Sequence, residues 1–229
     1  MEKLAYLFNR PDDIAALGAR LRRETIPALQ ALGASSLVLT IADCDEAVSA
    51  QAPQRFAGPW EQLGGALFLW LDDVDERGAL EAELSAAGLE LEAFLLTESV
   101  PQGCVRDWPQ EARRPGVTQF TVHGKPADVD EAEFFRNWSA HTVLSFDLHP
   151  LRWSYVRNAV ARPLATASTP APRPLRALVL EHFRAVEDFT DDARYFGDPE
   201  VVNEMYRELP GFCDLESMCT GPMSEYWFD

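Results

Sequence analysis

Residues 134–158, FFRNWSAHTVLSFDLHPLRWSYVRN, decide how the chain is read, because a helical pattern gives way to a strand pattern within them. Phe134, Trp138 and His141 recur at i, i+4 and i+7, so they share one face of an amphipathic helix, and Ser145 continues that face. Asp130 followed by Glu133 is an N-cap pattern, and acidic side chains there favour the positive end of the helix dipole. The spacing predicts a helix over 130–145. Residues 152–160, with Tyr155, Val156 and Asn158, read as a strand.

Working outward, the order strand, helix, strand, strand, helix, strand is expected twice. In the first half, strands are expected at 4–9, 37–42, 66–71 and 91–97. A helix capped by Asp12 or Asp13 and ended by Gly33 lies between the first two, and another at 76–87 is closed by Gly88. Residues 99–116, with three prolines and mixed charges, read as a linker. The second half then offers strands at 117–123, 152–160, 177–183 and 214–219, with helical stretches at 130–145, 187–196 and 199–209.

This βαββαβ order is that of the ferredoxin-like unit. The expected fold class is therefore α+β, with tandem ferredoxin-like repeats forming an α/β barrel within the chain. The corresponding boundaries are an N-terminal repeat at 1–105, a linker at 106–116 and a C-terminal repeat at 117–229. Laid over one another, the halves match Tyr6 with Phe120, Trp70 with His182 and Leu71 with Phe183. Arg22 and Thr25 stand where the second half has Trp138 and His141, so the chemistry is expected in the second half.

Composition narrows the function. At 229 residues with 47% hydrophobic side chains, the chain has ample material for a core. Against 37 acidic side chains stand 20 basic ones, a formal charge of −17, which argues against a nucleic-acid partner that needs a cationic footprint. No run of about 18 apolar residues calls for a membrane. The start MEKLAYLFNRPDD lacks the pattern of a signal peptide, so a soluble cytoplasmic protein is expected. Cys44, Cys104, Cys213 and Cys219 form no CxxC and read as reduced structural thiols. His123, His141, His149 and His182 show no metal-ligand spacing, so no metal is expected.

The pattern Phe134, Phe135, Trp138, His141, then Tyr155, Val156, Asn158, then Phe183 and Glu187-Asp188-Phe189 resembles the EthD family of dimeric α/β-barrel proteins. The resemblance covers about residues 117–200. It implies a cavity between sheet and helices for a small hydrophobic or aromatic ligand, often without metal or organic cofactor, and a homodimer as one available assembly. It further implies a cofactor-independent enzyme of the isomerase, lyase or oxygenase type, working in bacterial catabolism or biosynthesis. The alternative is a non-catalytic binding or accessory barrel.

On that resemblance His141 is the general acid/base, a role its ordinary pKa near 6.5 suits. Tyr155 would bind or protonate an oxyanion and Asn158 would orient it. His182, the next catalytic candidate after His141, stands where the family is often aromatic and so departs from its pattern. Phe134, Trp138, Phe120, Trp153 and Tyr6 are the expected apolar wall. Each has a structural reading beside the functional one: His141 and Trp138 as core residues, Tyr155 as a strand residue with a surface hydroxyl, Asn158 as a loop holder, His182 as packing between strand and helix. A haem held by His141 or His182 is the remaining option, without a CxxCH attachment motif.

Overall fold

The computed structural model describes residues 1–44, 48 and 63–229. Eight strands are found among them: β1 (Glu2–Asn9), β2 (Ser35–Ile41), β3 (Leu63–Leu71), β4 (Leu91–Gln102), β5 (Val117–Gly124), β6 (Arg152–Leu164), β7 (Leu175–Phe183) and β8 (Asp214–Phe228). They close into one barrel in the order β1-β3-β2-β8-β5-β7-β6-β4, with every pairing antiparallel.

That order corrects the expectation of an α+β fold of tandem ferredoxin-like repeats. The sheet is single and closed, strand dominates over helix, and neither half keeps a sheet of its own. The seams β2–β8 and β4–β6 make the difference. β4 continues past Thr97 through Ser99, Val100 and Pro101, which in sequence look like a turn, and its outer half pairs with β6 as far as Gln102 opposite Tyr155. β8 runs to Phe228, well beyond the strand expected at 214–219, and that extension is what lies along β2. The overlay of Tyr6 on Phe120 also fails, since Tyr6 packs outside the barrel and Phe120 inside.

The helices are α1 (Ile14–Arg20), α2 (Ile26–Ala31), α3 (Gly78–Ala86), α4 (Glu131–Leu148), α5 (Glu187–Thr190), α6 (Asp192–Tyr195) and α7 (Pro199–Glu208). A π-helical stretch, Leu21–Thr25, joins α1 to α2 just before Pro27. Proline has no N–H for the i−4 carbonyl, which accounts for the local widening. The expected cap of α4 is present: Asp130 Oδ1 accepts from the Glu133 N–H at 2.7 Å.

Strand alternation sorts the side chains into three layers. Ala5, Leu7, Phe68, Phe94, Leu96, Phe120, Val122, Leu178, Leu180 and Met223 fill the barrel. On the outside of the first half, Leu4, Tyr6 and Phe8 meet Leu17, Leu21, Ile26, Leu29, Leu80 and Leu84 from the helices, leaving no room for a water-sized guest. On the outside of the second half, Phe134 and Trp138 of α4 and Met205 of α7 lie over Tyr155, Ala177 and Val179. Here the layer is not filled.

The segment between β4 and β5 packs across one mouth of the barrel. Trp108 stands edge-on to Trp153 at 5.8 Å and to Trp227 at 4.9 Å, and the Arg114 N–H reaches the Glu225 carbonyl at 2.8 Å. Gly116 turns the chain into β5 at φ +104°, where a Cβ would sit 2.1 Å from the Phe183 carbonyl oxygen; only glycine fits.

Candidate active site

The unfilled layer encloses a cavity of about 90 Å³ between the outer face of β5, β6, β7 and β8 and the helices α4, α6 and α7. Its floor is set by the alternation of β5. Val117, Gln119, Thr121 and His123 share one parity, and the last three bring polar groups to a face that a helix covers. Tyr155 of β6 and Glu181 of β7 continue this floor, while Trp138, His141, Phe196, Met205 and Leu209 form the roof.

Three histidines line the cavity, and the acceptors behind them settle their tautomers. His123 Nδ1 lies 2.8 Å from the Gly124 carbonyl and His149 Nδ1 lies 2.9 Å from the Tyr195 carbonyl. A carbonyl oxygen only accepts, so each Nδ1 carries the proton and each Nε2 keeps its lone pair. His141 Nδ1 lies 2.6 Å from Glu208 Oε1, a carboxylate, which imposes the same tautomer. None of the three Nε2 atoms has a protein partner among the described residues, and none is sealed off from a guest. The cavity therefore presents three imidazole Nε2 atoms.

Burial holds His123 and His149 neutral. It is the largest influence on both and pushes each pKa down to about 4, against the upward pull of their backbone acceptors. Burial, with Glu181 second, pushes Tyr155 up to about 12, so its phenol stays protonated and able to donate. Among the described residues no group of three or more His, Cys, Asp or Glu has the arrangement of a metal site.

A buried network props up the floor. Arg152 Nη1 donates to Glu181 Oε1 at 2.5 Å, Gln119 Nε2 donates to Glu181 Oε2 at 3.0 Å, and the Tyr195 hydroxyl donates to Gln119 Oε1 at 2.6 Å. Burial raises the Glu181 pKa, but the Arg152 charge outweighs it, and the carboxyl is held below its ordinary value. The Arg152 guanidinium also lies 4.1 Å over the Tyr155 ring. The result is a hydrogen-bonded polar floor under a roof of sulfur-bearing and aromatic side chains.

Of the residues singled out in sequence, His141, Trp138 and Tyr155 line this cavity, and Phe134 backs Trp138 with ring centroids 5.4 Å apart. The others lie elsewhere. Asn158 is three positions from Tyr155 on the same strand and so faces the barrel interior, where its amide donates to the Leu178 carbonyl at 3.1 Å. Phe120 is also interior, edge-on to Phe68 at 5.9 Å.

His182 is interior too. Its Nε2 donates to the Pro115 carbonyl at 2.8 Å and its Nδ1 lies 2.7 Å from the Thr118 hydroxyl. Burial, then the Arg114 charge, lowers its pKa to about 4. Trp153 sits at the barrel mouth with Trp108, and Tyr6 lies under the first-half helices with its hydroxyl buried and unpaired. Glu208, His123, His149, Glu181 and Gln119 were not anticipated. The signal for two of them was present, since Gln119, Thr121 and His123 alternate with Phe120 and Val122.

No protein-family model and no curated protein matches the chain. Among solved structures, a Fusobacterium nucleatum subsp. nucleatum protein described as a "putative monooxygenase" is similar in fold, with a TM-score of 0.53 and 6% identity, covering 100% of this chain and 92% of that one. At that identity the likeness is one of fold. No helix among the described residues is long and apolar enough to cross a membrane.

Proposed function

We propose that the chain is an acid–base enzyme of the oxygenase type that acts on a small phenolic compound and needs no bound cofactor. The observation that carries this reading is the His141–Glu208 pair, which fixes a lone pair on His141 Nε2 at the wall of a cavity whose other imidazoles also accept. A wall of acceptors selects a guest with hydrogen-bond donors, and a phenol supplies one on a flat apolar body. The resemblance to the EthD family and the description of the Fusobacterium protein both favour this direction.

In the proposed reaction His141 takes a proton from an activated methylene attached to the ring of the substrate. Tyr155, kept protonated, donates to the oxygen on which negative charge develops. The electron-rich carbon then bonds to dioxygen, and loss of water leaves a carbonyl: one CH₂ and one O₂ become one C=O and one H₂O. Glu208 holds the tautomer and stabilises the imidazolium.

The cavity volume limits the substrate. A cavity of roughly 150 Å³ admits benzene, so about 90 Å³ accepts a single ring only if the roof gives way. Met205, with its unbranched thioether side chain in the roof, is the residue best suited to give way.

The test is turnover of a panel of phenols bearing activated methylenes, in air and under nitrogen, followed by mass spectrometry and oxygen uptake. Oxygen-dependent product is expected from the native chain. It should fall about 10²- to 10⁴-fold in His141→Ala and about 10- to 100-fold in Glu208→Gln, which keeps an acceptor but loses the charge. Turnover surviving in His141→Ala overturns the assignment, and ligand binding without product favours a sequestering barrel.

A further inference from the structure

A second cavity, of about 260 Å³, opens inside the mouth of the barrel and shares no lining residue with the first. We propose that it is a separate small-molecule site for an uncharged, single-ring aromatic compound carrying a carbonyl group.

Size and access come first. The volume exceeds the roughly 150 Å³ that admits benzene. Val38, Trp70, Val156 and Trp227 point into the barrel yet are only half-buried, so the lumen is reached from outside, past Val100 at the rim, which is 51% exposed. Phe68, edge-on to Phe120, closes the floor. Trp70, Trp227 and Phe68 give a flat guest aromatic faces and edges to pack against.

Charge sets the guest's own charge. Lys3 pairs with Glu98, and Arg114 Nη1 pairs with Glu225 Oε1 at 2.8 Å. The wall is balanced, and an ionic guest would bring an uncompensated charge into the barrel lumen. The guest is therefore neutral.

Hydrogen-bond arithmetic sets its polar group. The Lys3 ammonium has three N–H donors and, among the described residues, a single hydrogen-bond partner, Glu98, with the Phe68 ring 5.1 Å from Nζ. Arg114 is 2% exposed, its Nη2 is taken by Cys104 and Ser154, and its guanidinium is fixed among Trp108, Trp153 and Trp227, at 5.3, 4.8 and 5.0 Å, with Nε sealed from the lumen. The spare donors are those of Lys3, and the guest must bring an acceptor. A carbonyl conjugated to one ring meets all three requirements.

The probe is acetophenone, titrated calorimetrically into the full chain, with benzoate as the charged counterpart of the same size. Saturable acetophenone binding is expected, with benzoate at least ten-fold weaker. Lys3→Met should weaken acetophenone at least ten-fold. His141→Ala should lose turnover and keep the acetophenone heat, which separates this site from the proposed catalytic one. Val100→Trp narrows the entrance without touching the core, so a binding loss there supports the site even if Lys3→Met fails to fold. Absence of acetophenone binding, equal or tighter benzoate binding, a folded Lys3→Met with native affinity, or loss of the heat in His141→Ala would each overturn the proposal.

Discussion

Lowering the pH from 7.5 to 5 is expected to remove about 4 kcal/mol of folding stability through His123 and His149 alone. Both rings are buried and held neutral, with pKa values pushed down to about 4 against an ordinary 6.5. The sign follows from proton uptake. Between these values the unfolded chain binds a proton that the folded chain refuses, so stability is full above pH 6.5 and is lost as the pH falls toward 4. Each histidine costs about 2 kcal/mol at pH 5 and about 3 kcal/mol once the pH is below both values. The pair gives a slope of between about 2 and 3 kcal/mol per pH unit near pH 5, a large share of the roughly 5–15 kcal/mol that a domain has.

Glu181 and Glu225 do not disturb this window. Both are held below the ordinary carboxyl value, so their contribution is lost only at lower pH. The single Thr118 hydroxyl proton lies between His182 Nδ1 at 2.7 Å and Glu225 Oε2 at 2.8 Å, so these two groups titrate together. Urea unfolding at pH 7.5, 6.5, 5.5 and 5.0 measures the loss. His149→Gln, which retains an N–H for the Tyr195 carbonyl, should reduce the loss by about 2 kcal/mol. A stability that stays level within about 1 kcal/mol from pH 7.5 to 5, against the expected loss, would refute the claim that these rings are locked neutral.

Three further outcomes are expected. Arg114→Met leaves Glu225 charged and buried and should cost about 3–5 kcal/mol in urea unfolding, with much of the loss recovered when Glu225→Leu is added. Met205→Ala should cost about 2–5 kcal/mol yet tighten binding of a single-ring phenol, measured by calorimetry, because the roof no longer has to move. Gly116→Ala should cost at least about 2 kcal/mol, read as a lowered melting temperature, since it combines positive φ with a clash at the Phe183 carbonyl.

The long helix and its cap were legible because both signals are local: Asp130 and Glu133 are three residues apart, and the aromatic stripe has the helical period. Barrel closure was not, because the pairing of β4 with β6 and of β2 with β8 joins residues far apart in sequence, and nothing local marks a strand's partner. The site was half legible. His141 announced itself through Trp138, whereas Glu208 arrives from a helix that is charged on its outer side and gives no hint of what it faces. Asn158 and Tyr155 could have been separated from the start. An odd spacing on a strand sends two side chains to opposite faces, so they never share a pocket.

The placement of β8 between β2 and β5 has a consequence for biogenesis. During synthesis β1 to β4 emerge first and can pair through β1–β3, β1–β4 and β2–β3, but the free edges of β2 and β4 then wait for β8 and β6. Unpaired edges of apolar strands are templates for intermolecular association. The finished ring offers none, so the hazard lasts until β8 has paired with β2 and β5. A nascent chain stalled short of β8 is the species a chaperone has to hold, and slow, long-range closure sets how long it must hold it.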